Sequence, residues 1–373
     1  MTTDSIRGRA TQEGTSRFAA RHTENLSEHY RMAGGLSLSD LGIGSYIGRW
    51  DDETDQRYTN SVVRAVERGV NVIDTAINYR FQRSERAIGE ALAELITSGK
   101  IGREEIVVAT KGGFLPFENE PPQNPLDWMD ANLFEPGIIA PSDIVAECHC
   151  IEPTYLRHQI GQSLKNLGLE TIDIYYLHNV EIQLSEISES ELDDRIRGAF
   201  EALEDEVDEG RIARYGVATW DGFRMAPGEP RHHSLSHFLE LAHSVAGEKH
   251  HFKAVQLPFN FMLREAATRP TQEWRGDLVT FLRLAHELGF MVMTSVPLLQ
   301  GKLLGRLPPA LAPLFADATN DPQRAIAFSA GAPGVSTALV GMSRTAHVDQ
   351  NTEYLRRRRL DPVSWRKVVD AVA

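Results

Sequence analysis

Short apolar runs rich in β-branched residues alternate along this chain with longer segments whose apolar positions recur every three or four residues. The runs are Leu41–Tyr46, Asn71–Ala76, Ile106–Lys111, Ile172–His178, Ala213–Thr219, Ala254–Asn260, Met291–Pro297 and Ser336–Met342. Several are apolar at successive positions, as strands buried on both faces should be. Between them, Ile88, Leu92, Leu95 and Ile96 share one helical face, as do Leu156, Ile160, Leu164 and Leu167, and again Ile196, Phe200, Leu203 and Val207. Gly69, Gly168, Gly210 and Gly289 each stand just before the next run, where a helix C-terminus favours glycine. Eight β–α units, with no Gly-x-Gly-x-x-Gly after an early strand, predict a closed (β/α)8 TIM barrel rather than a doubly wound sheet.

Three stretches depart from the rhythm. Residues 1–30 are polar, charged and aperiodic and read as an N-terminal arm, leaving 31–373 as a single barrel domain. Residues 112–152 are far longer than a usual βα loop and rich in Pro and Asn. They leave the barrel after Lys111, at the end where active sites are built, and so read as a substrate lid. Trp220–His233 leaves the fifth strand on the same side.

A net charge of −13 opposes non-specific attraction to nucleic acid or to an anionic membrane surface. The basic run Arg356–Arg359 reads as a solvated face or favourable charge at a helix end. No segment approaches the roughly 18 apolar residues of a membrane span, and the N-terminus has no apolar signal region, so a cytoplasmic protein is expected. Cys148 and Cys150 are the two cysteines, placed on opposite faces if the segment is a strand. Cys148-His149-Cys150 lacks the four ligands from separated pairs that structural zinc takes, and no metal site is expected.

Polar residues close three consecutive runs. Asp74 ends the second, with Tyr79 five residues on; Lys111 ends the third; His178 ends the fourth. A closed parallel barrel brings all four to one mouth. A free tyrosine has a pKa of about 10, too high for ready proton exchange at neutral pH. An ammonium about 4 Å away, at an effective dielectric of about 20, contributes about 4 kcal/mol, roughly three pKa units. Lys111 is therefore expected to lower the Tyr79 pKa, with Asp74 holding the lysine charged and His178 binding a substrate oxygen. None of these groups donates a hydride, so a redox cofactor must bind alongside.

The ordered set resembles the aldo-keto reductase family over about residues 30–355. It includes Asp-Thr-Ala-x-x-Tyr at 74–79, Lys111, Leu-His at 177–178, Gly-Arg-Ile-x-x-x-Gly-Val at 210–217, Pro-Leu-x-x-Gly at 297–301 and Leu-Val-Gly at 339–341. The resemblance implies a catalytic tetrad of Asp74, Tyr79, Lys111 and His178, and NADP(H), less often NAD(H), extended across the mouth. It implies cofactor contacts from Gly44, Ser45, Tyr46 and Asp74, from Thr219, Gln256 and Ser295 around the nicotinamide, and from Leu298 and Gly301 at the pyrophosphate. Gly341, Ser343, Arg344, Gln350 and Asn351 match the adenosine end, with Arg344 a donor to a 2′-phosphate. Ala218-Thr219 replaces a frequent Ser-Asn, Ser295 replaces a common stacking aromatic, and His347 stands where many NADPH-specific members carry Arg. Tyr46, Trp50, Phe114, His178 and Trp220 are the candidate substrate contacts, with Trp128 a further aromatic.

The implied activity is reversible reduction of a small aldehyde or ketone, with no nucleic-acid or membrane partner. Two other classes fit the same residues. One is a nicotinamide-binding regulatory subunit with little turnover, similar to the β subunits of voltage-gated potassium channels. The other is a non-redox lyase or isomerase barrel.

Overall fold

Successive side chains of a strand point to opposite faces, and the central runs of this chain are apolar on both. In the computed structural model, which describes residues 5–315 and 317–372, eight of these runs pair in parallel as one closed barrel. A hairpin of β1 (Tyr30–Ala33) and β2 (Leu36–Ser39) precedes the barrel. The staves follow as β3 (Leu41–Gly44), β4 (Val72–Asp74), β5 (Val107–Gly112), β6 (Ile174–His178), β7 (Tyr215–Ala218) and β8 (Phe252–Pro258). A second hairpin, β9 (Pro270–Trp274) and β10 (Asp277–Thr280), interrupts the series before β11 (Met291–Ser295) and β12 (Thr337–Gly341) close it.

Parity along each stave divides the core in two. Val72, Val107, Ala109, Ile174, Tyr176, Ala254, Met291 and Met293 fill the interior, and Leu36, Leu38 and Ala10 plug its N-terminal end. Their alternates Ile73, Val108, Tyr175, Val255 and Val292 face the surrounding helices, which begin after β3 at Asp52–Glu67 and end after β12 at Thr345–Thr352. Continuing the inward parity by two residues gives Asp74 from Val72, Lys111 from Ala109, His178 from Tyr176 and Gln256 from Ala254. The pattern that fills the barrel thus also aims the polar residues at its mouth.

From residue 5 onward, the first of its described residues, the segment read as an N-terminal arm is packed against the barrel. Ile6 bridges to Leu169, the Ala10 amide donates to Asp173 at 2.7 Å, and Gln12–Arg21 is a helix capped by Thr11. Its contacts carry no apolar stripe, which is why periodicity missed it. Phe18 is buried, Gly14 sits where a Cβ would meet the Glu104 carbonyl oxygen, and Arg17 and Arg21 pair with Glu105. The Cys-His-Cys segment is not a strand; His149 makes isolated bridges to Phe114 and Val145. The insertion 112–152 builds a small core of Leu115, Met129, Leu133, Ile139 and Cys150 against Tyr155.

Nor is the basic run only a solvated face. Arg359 lies 3.5 Å from the fully buried Asp40, which also faces Arg31 at 3.6 Å and His29 at 3.0 Å and accepts from the Tyr354 hydroxyl at 3.1 Å. Burial opposes the charge on both His29 and Asp40, but their attraction prevails: His29 is raised above, and Asp40 lowered below, its ordinary value. His29 therefore stabilises the fold fully below its unfolded value of about 6.5 and less as pH rises through its raised one. Asp40 acts above about 3.9 and loses its effect as pH falls through its depressed value. Asp40→Asn should cost about 3–5 kcal/mol, because it leaves buried cations without a counter-charge. Urea unfolding at pH 6 checks this, with a smaller loss expected at alkaline pH; a loss below about 1 kcal/mol at pH 6, the size expected of an exposed pair, overturns it.

Candidate active site

Register sets the strand-end residues in rows. Gly341, Gly44 and Asp74 are successive partners across β12, β3 and β4, and His178, Ala218 and Gln256 are partners across β6, β7 and β8. Between the rows opens a cavity of about 600 Å³. Tyr79, His178, Phe114 and Trp220 line it near β4 to β7, and Leu298, Gly301, Ser343 and His347 line its other end.

Lys111 is fully buried beneath this cavity. Its Nζ donates to Asp74 Oδ2 and to the Thr75 carbonyl, both at 2.7 Å, and lies 4.9 Å from the centre of the Tyr79 ring. Gln256 Nε2 donates to the other Asp74 oxygen at 2.8 Å. The Tyr79 ring meets Tyr46 edge-on at 4.9 Å and His178 at 5.8 Å, and Phe114 meets His178 at 4.9 Å.

The electrostatics differ from the expectation that Lys111 draws the phenol pKa down. Burial, the Asp74 carboxylate and Tyr46 instead hold Tyr79 well above the ordinary tyrosine value. The physical reason is cancellation: the ammonium sits against Asp74, so little of its field is left to favour a phenolate, while the cost of burying that phenolate remains. Burial lowers the Lys111 pKa, and Asp74 works against that shift. Burial, Lys111 and His149 together drive His178 well below the ordinary histidine range, so its ring is neutral.

Several polar atoms at the cavity have no protein partner among the described residues: Asn78 Oδ1, His178 Nδ1 and Thr219 Oγ1 are buried and unpaired. A Cβ on Gly341 would meet nothing within 4 Å, and one on Gly44 or Gly301 would have its nearest neighbour at 4.0 Å. Unpaired buried donors and acceptors are costly, and these stand beside open cradles. The arrangement fits a planar amide-bearing ring near Thr219 and Asn78 and a longer moiety running toward Gly341.

The Aldo/keto reductase family profile matches residues 40–307, more than half of the chain. The chain belongs to the aldo/keto reductase family. It is similar to D-threo-aldose 1-dehydrogenase from a Pseudomonas species, at 27% identity over 88% of this chain and 92% of that protein. It is also similar to the NADH-specific methylglyoxal reductase of Escherichia coli, at 30% identity over 38% of this chain and 39% of that enzyme. The barrel superposes on an aldo/keto reductase from Klebsiella pneumoniae, solved with NADP and acetate, with a TM-score of 0.61 at 19% identity over 92% of this chain and 94% of that one.

In this aldo/keto reductase, the residues named from sequence separate into two groups. Gly44, Ser45, Tyr46, Asp74, Tyr79, Phe114, His178, Thr219, Trp220, Gln256, Ser295, Leu298, Gly301, Gly341 and Ser343 all border the cavity, as does His347. Trp50 does not: it is half-exposed and packs edge-on against Phe81 at 5.3 Å. Trp128 packs on Phe117 within the insertion, which sends only Phe114 to the cavity. Arg344 and Gln350 are exposed and Asn351 is buried, all outside the lining. The Ser45 hydroxyl is turned away to Thr75 at 2.9 Å, so the residue offers the cavity its backbone.

Sequence reading missed Asn78, Asn179 and Val296, all of which line the cavity. Asn78 was legible only as a variable place within the 74–79 motif. Asn179 has φ 53°, a conformation asparagine tolerates. Val296 has φ 52°, an outlier for a β-branched residue; its carbonyl is fixed by Asn260 Nδ2 at 3.0 Å. The phenol result is directly testable. A difference titration of the protein against Tyr79→Phe, followed by ultraviolet absorbance, should show no Tyr79 phenolate up to about pH 10, the ordinary tyrosine value. A phenolate near neutral pH overturns it.

Proposed function

We propose that this protein catalyses NADPH-dependent reduction of an uncharged aldehyde or ketone, with Tyr79 as proton donor. The observation that carries the reading is the cluster at one mouth: Tyr79 and His178 line the same cavity, above a buried Lys111–Asp74 pair. The unpaired Asn78, His178 and Thr219 atoms and the glycine cradles support a bound nicotinamide cofactor, which would supply the hydride. A relative named for methylglyoxal and another named for an aldose point to a small carbonyl compound. No lysine or arginine lines the cavity among the described residues, which favours an uncharged one.

Each residue then has a distinct task. Neutral His178 hydrogen-bonds the substrate oxygen and turns the carbonyl toward Tyr79. Tyr79, held protonated, gives its proton to that oxygen as negative charge develops there. The phenolate left behind faces the Lys111 ammonium, which Asp74 keeps charged and in place. Tyr46, Phe114 and Trp220 cover the reacting atoms and exclude water, which strengthens every charge interaction within.

Tyr79→Phe removes one oxygen and keeps the ring, so folding and NADPH binding should be nearly unchanged while the proton-transfer step falls ~100- to 10,000-fold. Lys111→Met should be similarly severe, and the double variant scarcely worse than the worse single one, because both act on one proton transfer. Single-turnover reduction by pre-bound NADPH, with binding followed by fluorescence, is the measurement. Near-normal chemistry in Tyr79→Phe ends the reading.

Cofactor choice rests on Ser343, at the far end of the cavity, and on the exposed Arg344 that follows it. A charge-assisted contact to a 2′-phosphate contributes about 1.5–3 kcal/mol, so Arg344→Ala should raise the NADPH dissociation constant roughly 10- to 100-fold and leave NADH binding unchanged. Equal binding of both nicotinamides by the unmodified protein contradicts this assignment.

A further inference from the structure

The insertion 112–152 reaches the active site a second time, from underneath. His149 is fully buried, and its Nε2 lies 2.6 Å from the backbone carbonyl oxygen of His178. Its Nδ1 lies 2.9 Å from Nε2 of Gln183, which is also fully buried. Gln183 Oε1 in turn accepts from Arg195 Nη1 at 2.9 Å, and Arg195 pairs with Glu191 at 3.0 Å on the helix Glu189–Asp208.

Both ends of this chain of bonds require the same orientations. Guanidinium has only donors, so the Gln183 oxygen must face Arg195 and its NH2 must face His149. Nδ1 of His149 is then the acceptor, and Nε2 carries the hydrogen. That hydrogen meets a carbonyl oxygen, which only accepts. Burial lowers the His149 pKa to about 4, so the ring stays neutral and keeps this single tautomer.

The bonds hold one peptide group from both sides. His149 takes the His178 carbonyl, while the next amide, of Asn179, donates to the Ala218 carbonyl at 2.6 Å. The strand end that projects the His178 ring, and the left-handed turn at Asn179 beside it, are thereby fixed. Local geometry makes room for the clamp: a Cβ at Gly113, φ 129°, would lie 2.8 Å from His149 Nε2. Phe114 packs edge-on against both imidazoles, at 5.1 Å from His149 and 4.9 Å from His178. The His178 ring has no side-chain hydrogen bond of its own among the described residues, and its Nδ1 is unpaired. Its aim therefore depends on the backbone clamp and on the edge-on packing of Phe114 and Tyr79.

We infer that His149 is a positioning residue for His178, oriented through Gln183 by Arg195. The inference rests on the proposed reductase reading only for its kinetic readout. Displacing a catalytic group by about 1 Å can cost about 100-fold in rate. His149→Phe keeps an aromatic ring and removes both bonds; it should lower kcat roughly 10- to 100-fold with KM changed less than threefold. His149→Gln restores a side-chain N–H donor and should recover most of that loss. Nitrogen-15 imidazole spectra, recorded with no substrate, should show His149 as the Nε2–H tautomer. Arg195→Met, on the outer helix, frees the Gln183 amide to turn, and should shift the His149 Nδ1 resonance and lower kcat in the same direction.

The outcomes separate cleanly. A protein that turns over no carbonyl while showing the Nε2–H tautomer and an Nδ1 resonance that depends on Arg195 ends the reductase reading and keeps the clamp. An Nδ1–H tautomer, an unchanged kcat in His149→Phe, a glutamine variant no better than phenylalanine, or an Arg195→Met protein unchanged in both readouts overturns the clamp. Should His149→Phe fail to fold, the wild-type spectrum and Arg195→Met decide the matter.

Discussion

Lys111 Nζ and Asp74 Oδ2 lie 2.7 Å apart with both side chains withdrawn from solvent at the mouth of the barrel. Neither charge is tolerable there alone, because an isolated ion in such surroundings costs several kcal/mol even after relaxation. The pair is secured on every side: Thr75 accepts from the ammonium, and Gln256 donates to the carboxylate from the opposite wall of the barrel. Three staves, β4, β5 and β8, thus contribute to one polar knot just above the apolar fill of Val72, Ala109, Tyr176 and Ala254. The knot also decides the state of the residues over it. Because its net charge is close to zero, burial dominates at Tyr79 and His178, and both remain neutral.

That neutrality has a chemical meaning. A site that must protonate a carbonyl oxygen needs an acid that still holds its proton at working pH, and a raised tyrosine does. The drawback of a high pKa is a weak acid, and proton transfer becomes favourable only as the acceptor oxygen gains negative charge. In the proposed reaction Lys111, facing the ring, would act at that moment: its attraction for a phenolate grows as the proton leaves. At rest the Asp74 carboxylate helps burial keep Tyr79 protonated, whereas in the proposed reaction the lysine would favour the charge that develops, which is the differential stabilisation catalysis requires.

The barrel and the convergence of Asp74, Lys111 and His178 at its mouth were legible because one rule, period-two alternation in strands buried on both faces, produces the fold and aims its strand-end residues together. The expected eight runs are the eight staves, most of them shortened by one or two residues at their ends, while β5 runs on to Gly112 and β8 begins earlier, at Phe252. Legibility failed where contact does not use apolar periodicity. The helix Gln12–Arg21 docks through Gly14, Thr15 and two arginines, with Phe18 its one large apolar anchor. Arg359 looked like part of a solvated run because its partner Asp40 is more than three hundred positions away in sequence. Trp50 was named for its chemistry, but chemistry does not say whether a loop side chain turns inward. The direction of the Tyr79 shift was misjudged for a similar reason. A pairwise Coulomb estimate counts the nearby lysine, and omits both the carboxylate that cancels it and the desolvation that remains.

The insertion 112–152 shows how a long loop can be ordered by its own packing beside a site. Its apolar residues fold onto Tyr155 and form a core of their own, so the segment carries its own stability to the rim of the barrel. Gln159 then fastens its first turn, accepting from the Gly113 amide at 2.7 Å and donating to the Phe114 carbonyl at 2.7 Å. From that fixed base the segment reaches inward at two points, Phe114 beside the His178 ring and His149 beneath the His178 peptide. A free-standing lid would gain order only on binding and would lose part of its contact energy in doing so. A segment already ordered by its own packing avoids that cost, and it makes the aim of His178 a property of the folded chain before any substrate arrives.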